Sequence, residues 1–328
     1  MAVSVNQLEV EASGLRFETL VAGPEDGEAV ILLHGYPQNA GAWESTVGWL
    51  AGRGYRAIAP SLRGYSPGAN PAEASAFSMG NLVGDVVGIA DALGVGRFHL
   101  VGHDWGGALA WMVAGAHRDR LLSLTVLSTP HPAAMRKAMR NSTQMLRSSY
   151  MGFFRIPRVP EAMLRFRNFS STGLAMRMSG LPKESWKRDR AHLERVGLRG
   201  PLNWYRGAAV AMGRPPRITT PTLFIWGRHD FFLGRKAAEM TAQFISGEYR
   251  FVDLDAGHWI AERNSHQLHR LLGEHLEAHR EQRATAAPSA AATPEPAATA
   301  ADAGPNSAPA PAPRKRAKRA SKPPADTP

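Results

Sequence analysis

Asp104 is the residue of this chain best placed to do covalent chemistry. It stands at the centre of Gly102, His103, Asp104, Trp105 and Gly106, between the apolar run Phe98 to Val101 and the stretch Ala108 to Ala116. The first reads as a short buried strand and the second as a helix. A turn this tight between strand and helix needs small residues on both sides, because Cβ atoms at Gly102 and Gly106 would collide with neighbouring backbone. It holds its central side chain out at the carboxyl end of a sheet, the geometry of a nucleophile elbow. A carboxylate there is already an anion at neutral pH and can displace a leaving group from saturated carbon without first losing a proton. An Asp in a glycine-bounded turn can also do no more than cap the following helix.

Two further sites bear on that choice. Asp230 lies in Trp226, Gly227, Arg228, His229, Asp230, just past the run Thr222 to Trp226, and His258 lies in Asp255, Ala256, Gly257, His258, Trp259, just past Tyr249 to Leu254. Nucleophile, acid and base thus follow one another at three strand ends, an order suited to a covalent hydrolase. Asp255 competes with Asp230 for orienting the base, but its place so close before His258 makes it the weaker choice. A fourth site, His34, Gly35, Tyr36, Pro37, follows the run Ala29 to Leu33. Negative charge that builds on oxygen when water attacks an ester needs donors fixed in advance, and the N–H groups of Trp105 and Tyr36 can supply them. Pro37 has no N–H to offer.

The elements that must position these groups alternate along the chain. Strands are predicted at Ala29 to Leu33, Ala57 to Pro60, Phe98 to Val101, Leu124 to Leu127, Thr222 to Trp226 and Tyr249 to Leu254, with Leu15 to Val21 as an opening edge strand. Helices are predicted at Ala42 to Gly52, Ser78 to Leu93, Gly106 to His117, Lys236 to Phe244 and in a last segment ending near Arg280. Such alternation implies an α/β fold, a mostly parallel sheet flanked by helices. It breaks between Pro130 and Pro221, where helical periodicity runs without a convincing strand. The organisation expected is a core of residues 1–130 and 221–283, a helical cap of 131–220 over the carboxyl ends of the strands, and a tail of 284–328.

The chain has 328 residues, 44% hydrophobic, a net charge of +11 and no cysteine. Disulfides and thiolate metal sites are thereby excluded. No apolar run approaches the length of a membrane span, and Met1 to Gly14 lacks the pattern of an export signal, so a cytoplasmic protein is expected. From Ala284 onward there is no Leu, Ile, Val, Met, Phe, Tyr or Trp, so the tail reads as disordered. Its basic cluster, Arg314 to Lys322, is able to make weak, salt-sensitive contacts with anions or nucleic acid. Between His131 and Thr220 there are 18 Lys or Arg against 4 Asp or Glu. That imbalance is either an attraction for acidic partners or the solvated face of arginine-rich helices.

His34 to Gln38, Gly102 to Gly107 and Gly257 to Trp259 resemble the corresponding segments of α/β-hydrolase-fold epoxide hydrolases, and the resemblance runs over roughly residues 15–280. It implies an α/β-hydrolase fold with a helical cap, Asp104 as nucleophile, Asp230 as charge-relay acid, His258 as general base and two cap tyrosines. The insert contains two tyrosines, Tyr150 and Tyr205, in contexts similar to the family's cap motifs. Opening an epoxide expels an alkoxide, a poor leaving group unless a proton is supplied, and a neutral phenol can supply it. The expected reaction turns a small apolar epoxide into a diol with no metal or organic cofactor. Eight of the twelve methionines fall in the insert, where thioethers would suit a broad apolar pocket or plain packing; His131 is given no role.

Two alternatives use the same fold. A haloalkane dehalogenase would share nucleophile and base and hold halide with indole N–H donors, for which Trp105, Trp186 and Trp204 are candidates; Tyr36 takes the place of that family's usual Asn. A non-catalytic binding protein would depend on the basic tail. Arg195, Arg199 and Arg206 can in principle reach a substrate carboxylate. The arginine pattern of fluoroacetate dehalogenases is absent, since Trp105 and Ala108 occupy those positions. The sequence leaves the oligomeric state open.

Overall fold

The computed structural model describes residues 4–208 and 217–281. The tail with its basic cluster, and Met212, lie outside the described residues. Eight strands, β1 (Asn6–Ala12), β2 (Leu15–Ala22), β3 (Ala29–Leu33), β4 (Arg56–Pro60), β5 (Phe98–His103), β6 (Leu121–Leu127), β7 (Thr222–Gly227) and β8 (Tyr249–Leu254), form one sheet in the order β1-β2-β4-β3-β5-β6-β7-β8. β1 and β2 run antiparallel and the pairs from β4 to β8 are parallel. Every residue of β3, β5, β6 and β7 is buried, as expected of parallel strands covered on both faces.

Alternate residues serve opposite faces. Val30 and Leu32 pack with Trp43, with α1 (Glu44–Ala51) and with the helices that follow β8. Ile31 and Leu33 pack with α2 (Met79–Ala92) and α3 (Trp105–Ala116). β3 is where the strand order reverses, with β4 on one side and β5 on the other. Loops leaving the carboxyl ends of β3 and β5 diverge there and open the crevice in which such sheets bind ligands.

Leu15 to Val21 is not the edge. β1 pairs outside it, from Asn6 opposite Val21 to Ala12 opposite Leu15. The hairpin turns through Ser13 (φ +53) and Gly14 (φ +71), the left-handed pair that a two-residue hairpin turn requires.

Between β6 and β7 run α4 (Pro132–Asn141), α5 (Gln144–Arg147), α6 (Ser149–Phe154), α7 (Val159–Met178), α8 (Lys183–Val196) and α9 (Arg199–Asn203), then a π-helical turn, Trp204–Ala208. α7 is broken where Arg167, Asn168 and Phe169 adopt left-handed φ of +47, +57 and +62. His131 is buried, caps α4 by accepting the Ala133 N–H, and stacks on Phe244 with ring centroids 5.0 Å apart. After β7 come α10 (Arg235–Met240), α11 (Ile260–Arg263) and α12 (Ser265–Ala278).

Candidate active site

Asp104 occupies the turn between β5 and α3 with φ +53 and ψ −120, and its side chain makes no capping bond to the helix behind it. Such a backbone is costly for a non-glycine residue and persists where the surroundings over-determine it. Three glycines do so. A Cβ at Gly102 would meet the carbonyl of Gly106, and one at Gly106 the carbonyl oxygens of Leu33 and His34. A Cβ at Gly35 would fall on the Asp104 carboxylate itself, so the loop after β3 lies against the side chain only because it carries glycine.

That contact aims the loop's amide. The Tyr36 N–H donates to Asp104 Oδ1 at 2.8 Å, and the Trp105 amide also favours the charge of the carboxylate. Thr129, just past β6, donates its hydroxyl to the Asp104 carbonyl oxygen at 2.8 Å. The donors foreseen for an oxyanion therefore converge on one oxygen-bearing group.

His258 brings Nε2 to 3.6 Å from Asp104 Oδ2 and donates Nδ1–H to Asp230 Oδ2 at 2.8 Å. Asp230 is held in turn, its Oδ1 accepting the N–H groups of Phe232 and Leu233 at 2.8 and 2.9 Å. Burial opposes charge on His258, but the carboxylates of Asp230 and Asp104 outweigh it and push its pKa up to about 10. For Asp104 burial likewise works against the anion, and His258 with the Trp105 amide holds the carboxyl below its usual range. At neutral pH the His258 imidazolium therefore lies between the Asp104 and Asp230 carboxyl groups. Asp255 takes no part, pairing at 2.9 Å with exposed His229.

Over this array lie rings of the helical insert. Tyr205, in the π-helical turn, packs edge-on against Trp105 at 5.1 Å and Tyr36 at 5.7 Å, and Tyr150 of α6 lies 6.2 Å from it, centroid to centroid. Burial first, and then the Asp104 charge among others, raise both phenols well above the ordinary tyrosine range, so both are protonated near neutrality. Phe232 closes another side, its ring 4.9 Å from His258 and 5.9 Å from Tyr150.

Several supports escaped the sequence reading. His103 places Nε2 2.9 Å from the His258 carbonyl oxygen and Nδ1 3.0 Å from Gln38 Oε1. Burial lowers its pKa to about 4, and a neutral imidazole donates from one nitrogen only, so only one of those oxygens receives its hydrogen. Gln38 donates to Glu262 at 3.0 Å, and Glu262 meets Arg188 of α8 at 2.7 Å. A polar chain thus connects the residue before Asp104 to the insert. Ser128 donates to the same His258 carbonyl at 3.0 Å. Position at the end of β5 for His103, and directly after β6 for Ser128 and Thr129, was the one signal for them. His34 is a satisfied buried histidine, accepting the Leu62 N–H at 3.0 Å and facing its neighbour's carbonyl with the other nitrogen.

Other candidates are engaged elsewhere. Trp204 donates its indole N–H to the Arg63 carbonyl at 2.8 Å, and the Trp186 nitrogen lies over Gly173 within the insert. Arg195 pairs with Glu18, and Arg206 with Glu161. Met145, Met163 and Met178 are exposed and so do not line a pocket.

A family described as alpha/beta hydrolase fold matches residues 28–265. The chain belongs to the α/β-hydrolase family. Among relatives of this α/β hydrolase is AB hydrolase superfamily protein YfhM of Bacillus subtilis, 34% identical over 81% of this chain and 96% of its own length. Epoxide hydrolase A of Mycobacterium tuberculosis is 31% identical, covering 81% of this chain and 96% of its own. Mouse epoxide hydrolase 4 is 32% identical over 78% of this chain and 74% of its own. The crystal structure of epoxide hydrolase A from Mycobacterium thermoresistibile superposes with a TM-score of 0.73 at 26% identity, over 85% of this chain and 100% of that one. Among the described residues of this α/β hydrolase, no cluster of three potential ligands can hold a metal ion, and no helix is long and apolar enough to cross a membrane.

Proposed function

We propose that this protein is an epoxide hydrolase that converts an apolar epoxide to a vicinal diol through a covalent ester on Asp104, with residues 131–220 acting as the cap. The observation that carries the reading is the pair of buried, neighbouring phenols, Tyr150 and Tyr205, from the insert, packed over an Asp104 carboxylate that accepts the Tyr36 N–H. The names of the epoxide hydrolase relatives point the same way.

Asp104 Oδ2 attacks a ring carbon, the C–O bond of the epoxide breaks, and the electron pair goes to the ring oxygen. One phenol gives that oxygen its proton while the other steadies it. Esterification removes the Asp104 charge, one of the two that hold His258 protonated. The pKa of His258 falls, its proton returns to the phenolate, and the imidazole becomes the neutral base the second step needs. His258, oriented by Asp230, then takes a proton from water. The resulting hydroxide attacks Cγ of Asp104, and charge develops on Oδ1, where the Tyr36 and Trp105 amides wait. Collapse expels the diol oxygen, which takes the proton from His258, and the Asp104 carboxyl left behind gives its own proton to His258, restoring the carboxylate and the imidazolium.

His258→Gln tests this scheme. It should leave alkylation intact and block hydrolysis, so the intact protein gains the mass of one epoxide on mixing with styrene oxide; no mass gain would overturn the reading. Halide chemistry is less well supported, because Trp204 has committed its N–H to the Arg63 carbonyl and Tyr36 offers no side-chain amide. A purely binding role predicts that Asp104→Asn is silent, whereas the hydrolytic scheme predicts that it abolishes diol formation.

A further inference from the structure

Among the described residues ten large apolar side chains are exposed, and eight of them lie between Met145 and Met178. They are ordered. Val159, Met163 and Phe166 recur at helical spacing on the first part of α7 and are 47%, 57% and 62% exposed. Leu174 and Met178 repeat the spacing after the break, at 52% and 79%, and Leu146 of α5 is 75% exposed. A helix of a folded monomer normally turns such a stripe inward. Here the stripe faces outward, and apolar exposure this concentrated marks a surface with a partner.

Charge selects the partner. Between Pro132 and Met178 there are nine Lys or Arg and a single acid, Glu161. All nine cations are exposed, and Glu161 is already paired with Arg206 at 2.7 Å. A two-fold dimer through this face would set the same positive patch against itself. A nucleic acid would satisfy the cations and leave the aliphatic side chains in water. A bilayer with anionic headgroups satisfies both, as it does for amphipathic basic helices that lie in the membrane interface.

We propose that α5 to α7 form a docking face for anionic lipid bilayers, into which the stripe inserts while the flanking arginines meet the headgroups. The patch is continuous with the wall of the site. Arg147 donates to the carbonyls of Asp230 and Phe231 at 3.0 and 2.9 Å, which sets exposed Phe231 beside α5, and the neighbouring Phe232 ring packs on His258. An apolar molecule dissolved in the lipid thus has a short apolar route from bilayer to base. The docking face stands on exposure and charge alone and does not depend on the reaction assigned above.

The absence of cysteine makes the test selective. In the full chain, Phe166→Cys is labelled with an environment-sensitive fluorophore, and Leu8→Cys on the outer strand serves as a control. With phosphatidylcholine vesicles containing phosphatidylglycerol, the label at position 166 should shift to the blue and be quenched by brominated lipid, while that at position 8 stays unchanged. Pure phosphatidylcholine should bind at least about tenfold more weakly, and added salt should release the protein. Leu146→Gln combined with Met163→Gln should lower partitioning by about tenfold at an unchanged unfolding midpoint. The proposal fails if the chain sediments with vesicles while the label at position 166 remains in water, since another segment then does the binding. It fails equally if a duplex oligonucleotide binds and vesicles do not, or if the label is already buried between two copies in vesicle-free buffer.

Discussion

The two halves of the helical insert each carry one of the tyrosines over Asp104, yet they are held in opposite ways. The half from α8 to the π-helical turn is tied to many parts of the core. Trp204 bonds the Arg63 carbonyl, Arg188 reaches Glu262 and the Gly41 carbonyl, His192 bonds the Tyr65 carbonyl, and Asn70 bonds the Val196 carbonyl. Its backbone touches the core directly: a Cβ at Gly200 would meet Gly64, and one at Gly207 the Ala74 carbonyl. α5 and α6 are tied at their start to one loop, Gln144 and Arg147 bonding backbone groups of Asp230 to Gly234. Tyr205 is buried and Tyr150 only partly so. One of the two proposed proton donors, Tyr205, thus has the anchorage of the core, while the other, Tyr150, rides on a segment held at fewer points.

The largest expected effect is kinetic. Replacing both Tyr150 and Tyr205 with Phe should cost about a thousandfold or more in ring opening. Tyr205→Phe alone should lower kcat more than Tyr150→Phe, whose loss should appear partly in KM. Equal effects in single-turnover kinetics would break the contrast. Next comes stability. Gly207→Val forces side-chain atoms into the Ala74 carbonyl and should cost about 2–3 kcal/mol in chemical denaturation.

A smaller effect depends on pH. Burial pushes buried Asp189 of α8 up to about 8, with Arg188 opposing the shift and Glu262 adding to it. A carboxyl whose folded pKa is raised contributes stability that is complete below its ordinary value, near 4, and lost as pH rises through 8. Amide exchange in α8, corrected for intrinsic rates, should quicken by about tenfold between pH 5 and 9. Asp189→Asn should remove that rise, and α5 to α7 should show none in either protein. The smallest change is Gly152→Ala in α6, where an added Cβ meets open space; it should stabilise the protein by less than about 1 kcal/mol.

What the sequence disclosed follows from what is local. β3 and β8 span the predicted runs, β3 because its apolar residues are contiguous and β8 because Tyr249, Phe251, Val252 and Leu254 make a short β-rich run. Asp104, Asp230 and His258 each stand just past a strand, so parallel pairing was enough to bring them together. β1 was missed because its burial is confined to Val10 and Ala12, leaving little pattern to read. The break in α7 has no Gly or Pro at Phe166 to Phe169 to announce it. The outward turn of Met163 and Met178 was not legible, since the insert's methionines suited a pocket or plain packing alike, and periodicity shows which residues share a face and never which way that face turns. Gly35 was visible as a glycine, but its reason, the volume claimed by the Asp104 carboxylate, exists only across the sheet. The partner that His103 and Ser128 share is a backbone carbonyl from a distant segment, which no spacing encodes.

The carbonyl of His258 faces two side chains that belong to neighbouring strands, His103 at the end of β5 and Ser128 just past β6. The base sits on a loop, yet its positional tolerance is inherited from the sheet. Catalytic groups must be held within about 0.5 Å of their working geometry, and here that precision is secured from below. Nothing overhead has to supply it. Mutations that reshape the insert away from Tyr150 and Tyr205 can therefore alter which molecules arrive without displacing His258, and the floor of the site can stay constant while substrate range drifts above it.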